Sequence, residues 1–376
     1  TKIILCILIL YTFLHWNELR NIQIRLKKIV RGLIVIPLLG FIPAYILHGQ
    51  GLFSSFLGSY VSIGYFLFFF LFLIKAKEQQ IIKVLCILGI CWSIIELIQQ
   101  FTYPTYWFTT RGDEFSSGID IRNGIYRYNV IGREFGLVLL FYSFEKFMKN
   151  KKGKYLFGVL IGLIGIYLSV TRQVIAMSVI CLFAGLFLMK KISFKSLLLI
   201  GVVSLLVYVN ANTLFGEFIE MTEEVDEDYV RFWAYEFYGL TYNKGSILAF
   251  LLGNGSPYPP SRYFREIDNI EQSFGLWRAD IGIVGMYSQY GIIYVGIILW
   301  LFYYVFKQRK YIDTYLLMYV LFMAGTSIML HHFAYKLSIV IIGCFILYLI
   351  EQNINKNKKR LSNQNIHEVQ CNDTDL

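Results

Sequence analysis

The amino-acid sequence predicts an all-α, polytopic integral membrane protein with about eleven transmembrane helices. Hydrophobic residues make up 56% of the 376 residues and charged residues only 16%, against about 45–50% and about 25% in soluble domains. The apolar residues form long runs, and basic residues fill every second gap between the runs. These observations exclude a soluble enzyme, a secreted disulfide module, a disordered chain and an outer-membrane barrel, whose strands are short and alternating.

The predicted spans are apolar runs that approach the ~20 residues a helix needs to cross a membrane. They lie at about 1–14, 32–48, 56–74, 84–101, 130–148, 155–170, 174–189, 196–210, 281–306, 313–330 and 333–350. The basic connections alternate with the others, at 16–31, 75–83, 145–154, 190–195, 307–310 and from 351 onward. The positive-inside rule places all six in the cytoplasm.

The chain is therefore predicted to form a single membrane domain, 1–350, followed by a cytoplasmic tail. The tail, 351–376, is polar and is expected to be disordered. Two long connections, 102–129 and 211–280, lie on the opposite, outer side. In the longer one, apolar residues spaced by three or four predict a short amphipathic helix, at Phe218, Met221, Val225, Tyr229 and Phe232.

No cofactor or metal is expected from the sequence. It has no CxxC motif, no Cys/His cluster and no glycine-rich nucleotide-binding motif. The net charge of +10 follows from the basic inner connections, so no nucleic-acid partner is expected.

The inner and outer connections differ in whether their basic residues are lysine or arginine. The inner connections carry 18 lysines and 5 arginines, whereas the outer connections and outer helix ends carry 9 arginines and 2 lysines. Arginine presents a planar fork that suits phosphate and carboxylate. The excess predicts an outward-facing, arginine-lined cavity for an anionic ligand, with pairing to acids on the same face as the alternative. The nine are Arg111, Arg122, Arg127, Arg133, Arg172, Arg231, Arg262, Arg265 and Arg278.

Arg172 is the strongest single candidate for a functional residue. It lies between two apolar runs of 16 residues, 155–170 and 174–189, each about 24 Å long as a helix and thus shorter than a ~30 Å hydrocarbon core. The tip of this hairpin is therefore expected at or just below the outer membrane surface. A cation at that depth in the membrane is costly unless it is paired, which indicates a functional role for Arg172. A snorkelling arginine that anchors the hairpin is the alternative.

Several other residues each have more than one possible role. Asp280, at the outer mouth of a predicted helix, suits a general base, but a helix N-terminus would also stabilise it. Arg278 is a candidate partner for Asp280 or for a phosphate. Arg122 and Arg127 lie among acids and aromatic residues that suit either a sugar surface or an interfacial belt. The pair His331–His332 is a less favoured base.

Four segments in this order resemble the O-antigen and capsular polysaccharide repeat-unit polymerases of the Wzy type, in the O-antigen ligase and polymerase superfamily. The likeness covers residues 165–300. In the rest of the chain only the number and the topology of the predicted helices are similar. The segments are Ser169-Val170-Thr171-Arg172, Arg231-Phe232-Trp233, Gly253-Asn254-Gly255, and Asp280-Ile281-Gly282-Ile283-Val284-Gly285 with Tyr290-Gly291-Ile292.

The resemblance implies a multi-pass protein of the bacterial inner membrane whose long loops face the periplasm. It implies metal-independent, inverting transfer of a glycan from undecaprenyl diphosphate to a repeat unit on the same carrier. Asp280 and Arg172 would be catalytic, and Arg231, Arg262, Arg265 and Arg278 would help to bind the diphosphate. A chain-length regulator and a flippase of the same pathway would be partners.

One departure from the family pattern bears on the choice of reaction. Ligases of this superfamily have a histidine near the start of the helix that follows the long loop, whereas 276–280 here reads Leu-Trp-Arg-Ala-Asp. The departure favours a polymerase over a ligase. A transporter of lipid-linked oligosaccharide is the other alternative, although few charges lie at mid-membrane.

Overall fold

The computed structural model describes residues 2–102, 105, 121–122, 125–126, 130–189, 226–334 and 336–372. Within these residues the chain is almost entirely helical, as predicted. The exception is a pair of two-residue antiparallel strands, β1 (Ile121–Arg122) and β2 (Ile125–Tyr126).

Eleven α-helices lie in the described residues that precede the long outer connection. They are α1 (Lys2–Leu14), α2 (Trp16–Asn21), α3 (Lys27–Leu39), α4 (Phe41–His48), α5 (Leu52–Gly58), α6 (Tyr60–Ile63), α7 (Phe66–Leu73), α8 (Glu78–Thr102), α9 (Arg133–Asn150), α10 (Gly153–Leu168) and α11 (Arg172–Met189).

The described part of the long connection and the C-terminal third contain six more. They are α12 (Asp226–Glu236), which continues as a π-helix (Phe237–Thr241), α13 (Ile247–Leu252), α14 (Arg262–Phe274), α15 (Gly282–Lys307), α16 (Thr314–Thr326) and α17 (Leu337–Asn372). Short 3-10 helices at Arg278–Ile281 and Arg309–Tyr311 precede α15 and α16.

In the described part of the chain, five helical stretches are long and apolar enough to cross a membrane. They are Lys27–His48, Glu78–Thr102, Arg172–Met189, Arg278–Lys307 and Leu337–Arg360. A sixth would be Leu52–Gly58 with Tyr60–Leu73, bent by 56° at the break between them. Gly153–Leu168 and Thr314–Thr326 are apolar but shorter. The predicted span 196–210 lies outside the described residues.

The residues that face glycines at helix contacts show in which direction neighbouring helices run. Gly158 of α10 lies against Ser143 of α9, and Gly162 lies against Leu140, so these two helices are antiparallel. The same pattern joins α11 to α16, where Gly185 faces Met318 and Gly325 faces Met177. Small residues allow helix backbones to approach closely, which is a common way of packing membrane helices.

Buried carboxylates tie the helices together at the lysine-rich end, where α8 begins and α9 ends. Glu145 accepts a hydrogen bond from the backbone N–H of Tyr315 at 2.6 Å. Glu351 accepts from the backbone N–H groups of Arg25 and Leu26 at 2.9 and 3.0 Å. Both carboxylates are fully buried. These bonds satisfy backbone donors at the ends of neighbouring helices, which would otherwise be costly to bury.

The structure describes the predicted tail as far as Asn372. Residues 351–372, expected to be disordered, continue α17 to Asn372. Glu351, Asn353 and Ile354 are buried, and the side-chain oxygen of Asn353 accepts from the backbone N–H of Asp313 at 3.0 Å. Polar composition predicted disorder because it gave no sign that these side chains have specific partners.

The opposite end of the bundle is called the arginine end here. It gathers the ends of α8, α10 and α16 and the starts of α9, α11, α15 and α17. Residues 226–281 form a small second core at this end, built from Ala234, Tyr238, Tyr242, Tyr263, Ile267, Leu276 and Ile281, with Ala44 of α4. The hydroxyl of Tyr235 donates to the carbonyl of Ile328 at 2.6 Å, which ties α12 to the segment after α16.

Replacing Gly291 by alanine is expected to destabilise the protein by about 3 kcal/mol. Gly291 kinks α15 with φ 78° and ψ 176°, a conformation open essentially only to glycine. A Cβ there would also overlap the carbonyl of Leu251. Gly296, five residues on in α15, has no atom within 4 Å of a built Cβ, so Gly296→Ala is the control. Thermal unfolding in detergent would contradict this prediction if the two variants melted together.

Candidate active site

The Gly253-Asn254-Gly255 turn docks on the kink in α15. Gly253 and Gly255 have φ values of 74° and 75°, which lets the turn present its backbone N–H groups to the helix. The backbone N–H of Asn254 donates to the carbonyl of Ser288, and that of Gly255 to the carbonyl of Gln289, both at 2.9 Å. The kink at Gly291 thus frees carbonyls that the turn then satisfies.

Side chains around this turn form a buried polar network. The amide of Asn254 donates to Asn243 at 2.8 Å, and its side-chain oxygen faces Nε2 of His48 at 3.1 Å. That ring nitrogen is therefore the donor. On the other side, Gln289 donates to the hydroxyl of Ser256 at 2.8 Å, and that hydroxyl donates to Tyr290 at 3.2 Å. The network holds the long connection rigidly on the bundle.

Arg278 is the buried charge nearest to this network. Its Nε donates to the carboxylate of Glu271 at 3.2 Å, and the side chains of the two residues are 12% and 18% exposed. Its guanidinium carbon lies 5.8 Å from the ring centroid of Tyr238, a cation–π distance. Nη1 of Arg278 is buried and has no hydrogen-bond partner among the described residues. A buried guanidinium N–H in this state is a donor available to an anionic or polar ligand.

Tyrosines line the other side of Arg278. Burial raises the pKa of the Tyr263 and Tyr242 hydroxyls, and the positive charge of Arg278 opposes that rise. The hydroxyl of Tyr263 donates to the carbonyl of Gly255 at 3.2 Å. The guanidinium therefore lies between the glycine turn and the second core.

The histidine pair separates two buried charges. His331 has its ring centroid 6.4 Å from that of Tyr290. Burial lowers the pKa of His331 to about 3, and the charge of Arg278 lowers it further. Burial also lowers the pKa of His332 to about 3, and there the added charge is that of Arg133. Arg278 and Arg133 thus act on neighbouring histidines, and both rings are neutral at pH 7.

The histidine pair is expected to make the protein sensitive to acid. Unfolded histidines bind protons below pH ~6.5, whereas the folded rings resist protonation down to about pH 3. Stability is therefore fully present above pH 6.5 and is lost as the pH falls toward 3. The loss between pH 7 and pH 5 is up to about 2 kcal/mol for each histidine.

Melting temperatures in detergent across this pH range measure the effect, with His331→Gln/His332→Gln as the comparison. The double variant should lose much of the acid sensitivity. Equal slopes for the two proteins between pH 7 and pH 5 would contradict the prediction.

The structure places the predicted site residues at different depths. Asp280 is exposed on the short 3-10 helix before α15, and Arg172 is half-buried as the first residue of α11. Arg231, Arg262 and Arg265 are exposed on α12 and α14. The backbone of Arg122 forms β1, whereas Arg111 and Arg127 lie outside the described residues.

Of these residues, Arg278 is the one that is most buried and has an assigned carboxylate partner. That partner, Glu271, was not singled out from the sequence, and neither were Tyr238 and Tyr263. The signal available was the amphipathic stretch 262–274, which places Tyr263 and Ile267 on its buried face.

This arrangement can hold a polar or anionic group at the arginine end. Arginine N–H groups in a site shielded from water stabilise developing negative charge more strongly than they would in solvent. No group of three or more His, Cys, Asp or Glu residues suited to a metal ion occurs in the described part of the chain. No protein-family model, curated protein or solved structure matches this sequence.

Proposed function

We propose that this chain is a membrane glycosyltransferase that polymerises undecaprenyl-diphosphate-linked repeat units into O-antigen or capsular polysaccharide. The observation that carries the proposal is Arg278, whose Nη1 is buried without a hydrogen-bond partner in the described residues at the arginine end. A diphosphate supplies the acceptor oxygens that such a donor lacks.

The positions of the four resembling segments support the proposal. The Ser169–Arg172 segment starts α11, and Asp280–Gly285 starts α15. The Gly253–Gly255 turn is docked on α15, and Arg231–Trp233 lies on α12, which is tied to the residues after α16. All four therefore lie at the arginine end, where one ligand could reach them.

In this proposal the membrane topology follows the charge distribution. The lysine-rich end faces the cytoplasm and the arginine end faces the periplasm of a bacterial inner membrane, with eleven spans in the chain. The antiparallel packing of α9 with α10 and of α11 with α16 supports this alternation. A flippase would deliver the substrate to the periplasmic side, and a chain-length regulator would be a further partner.

The proposed reaction is an inverting displacement. A hydroxyl of the acceptor repeat unit attacks the anomeric carbon of the donor glycan. The bond from that carbon to the diphosphate oxygen breaks, and its electron pair leaves with undecaprenyl diphosphate. The hydroxyl proton passes to the base, and Arg172 and Arg278 hold the charge that develops on the diphosphate. Exposed Arg231, Arg262 and Arg265 would guide the anionic substrate to the site.

We assign the base to Asp280. Its carboxylate is two residues from Arg278 and is exposed at the mouth of the site. His331 and His332, the alternatives, have pKa values lowered to about 3 by burial, which makes both rings weak proton acceptors. Their neutral rings are better suited to hydrogen bonding than to general base catalysis.

One observation favours the ligase alternative. Although 276–280 contains no histidine, the fold places His331 within the electrostatic reach of Arg278. A histidine is therefore near the proposed diphosphate site from another part of the chain. A ligase would transfer finished polymer to a different acceptor.

A gel of surface polysaccharide from a strain that lacks this chain tests the proposal, together with a probe of lipid-linked glycan. A polymerase predicts collapse of the ladder to single repeat units. Full-length polymer accumulating on the lipid carrier would instead identify a ligase. Single units confined to the cytoplasmic face would identify a transporter and overturn the proposed chemistry.

A further inference from the structure

A buried acid in α8 has no role in the chemistry proposed above. Glu96 is 1% exposed, and its Oε2 is buried without a hydrogen-bond partner among the described residues. A carboxyl group in apolar surroundings is costly to bury unless it is hydrogen-bonded or paired. An ionisable side chain within a membrane-length helix therefore indicates function.

Arg133 is the cation and hydrogen-bond donor that complements the carboxyl group of Glu96. Trp92, one turn before Glu96 on α8, lies against Gly132 and Gly136, which flank Arg133 in the chain, so Arg133 is the cation next to Glu96. It lies 3.7 Å from the carboxylate of Glu134. Its Nε is buried without a hydrogen-bond partner in the described part of the chain. Because the Arg133 side chain is 25% exposed, it connects the buried acid to the outer surface.

His332 completes this second cluster. The hydroxyl of Thr326 donates to the carbonyl of Phe322 at 2.7 Å, so its oxygen accepts from Nε2 of His332 at 2.6 Å. The ring proton is thereby fixed on Nε2, and Nδ1 is left as an acceptor.

His331 and His332 have different neighbours, since the ring centroid of His331 lies 6.4 Å from that of Tyr290 and His332 is hydrogen-bonded to Thr326. His331 is influenced by the charge of Arg278, whereas His332 is influenced by that of Arg133. The arginine end therefore holds two buried polar sites that are joined by two consecutive residues. One offers an arginine donor to an anion, and the other offers both a carboxylate acceptor and an arginine donor.

We propose that Glu96 and Arg133, with Glu134 and His332 beside them, form a sugar-hydroxyl site that holds the acceptor repeat unit. A sugar hydroxyl would donate to Oε2 of Glu96, and the oxygen of a neighbouring hydroxyl would accept from Nε of Arg133. A vicinal diol can make both bonds at once, with one hydroxyl donating to Glu96 and the oxygen of the other accepting from Arg133. This inference rests on the proposed function, because it assigns the second substrate of that reaction.

The test uses the full chain in lipid nanodiscs and two probes. One probe is the oligosaccharide released by mild acid from the host strain's own lipid-linked pool, and the other is undecaprenyl diphosphate. Glu96→Gln replaces one carboxyl oxygen by an NH2 donor but keeps the shape of the side chain, and Glu266→Gln, at an exposed position of α14, is the matched control. Affinity for each probe is measured by thermophoresis at equal folded protein.

Glu96→Gln should weaken oligosaccharide binding about tenfold or more, the loss expected when the acceptor of a buried hydrogen bond is replaced by a second donor. Binding of undecaprenyl diphosphate should stay within about twofold, and Glu266→Gln should change neither. Wild-type affinity of Glu96→Gln for the oligosaccharide would overturn the site, as would the absence of oligosaccharide binding by the wild type.

Two further outcomes are distinguished from failure of the sugar site. If the wild type binds the oligosaccharide through Glu96 but does not bind undecaprenyl diphosphate, the proposed polymerase fails while the sugar site stands. If Glu96→Gln does not fold, Glu96→Asp takes its place, since it keeps the carboxyl group but shortens its reach. Undiminished oligosaccharide binding by Glu96→Asp would then overturn the site.

Discussion

Arg172→Ala should reduce polymer formation at least about 100-fold, which leaves single repeat units on the lipid carrier. Arg172 is the first residue of α11, and Val170 before it has a left-handed φ of 46°, which sets the turn that presents it. In the proposed reaction a cation at this position would stabilise the leaving diphosphate in the transition state, and removing one such donor costs about two to three orders of magnitude.

The measurement for Arg172→Ala is the surface polysaccharide ladder at equal protein expression. Arg309→Ala, an exposed arginine at the lysine-rich end, is the control and should leave the ladder unchanged. Arg172→Lys should retain partial activity, because it keeps the charge but loses the fork. A wild-type ladder from Arg172→Ala would remove this arginine from the mechanism.

Arg278→Gln should lose both polymer and stability. Removing the guanidinium leaves the buried carboxylate of Glu271 without its partner, and breaking a buried pair in this way costs about 3 kcal/mol. It also removes the donor Nη1 that the proposed diphosphate would occupy.

The double variant Arg278→Gln/Glu271→Gln separates these two effects. Neutralising both partners should recover most of the melting temperature lost in the single variant, because no unpaired charge stays buried. It should not recover the polymer. Recovery of the ladder together with stability would show that Arg278 serves the fold alone.

The helical, apolar character of the chain was predictable, because long apolar runs report directly on burial. Five or six helical stretches of the described residues are long and apolar enough to cross a membrane, against eleven predicted spans. The sequence also identified Arg278 and the glycine turn as features of one region. The kink that receives that turn was not predictable in detail, since Gly291 lies within the predicted span 281–306 and one glycine in such a span has several possible roles.

The partners of the charged residues were harder to predict. Glu271 and Arg278 meet across the turn at Gly275, which ends α14 with a φ of 67°, and spacing along the chain does not reveal such a pair. His331 and His332 have different partners, since the ring of His331 lies near Tyr290 and that of His332 is hydrogen-bonded to Thr326. Their sequence gave only a histidine pair at a helix end.

Reconstitution of the purified chain tests the central claim most directly. The protein is placed in lipid vesicles with undecaprenyl-diphosphate-linked repeat units as the only glycan, and products are resolved by gel. The account predicts a ladder of lengthening glycan with release of undecaprenyl diphosphate, and loss of the ladder in Asp280→Asn. Unchanged single repeat units with correctly folded wild-type protein would contradict it.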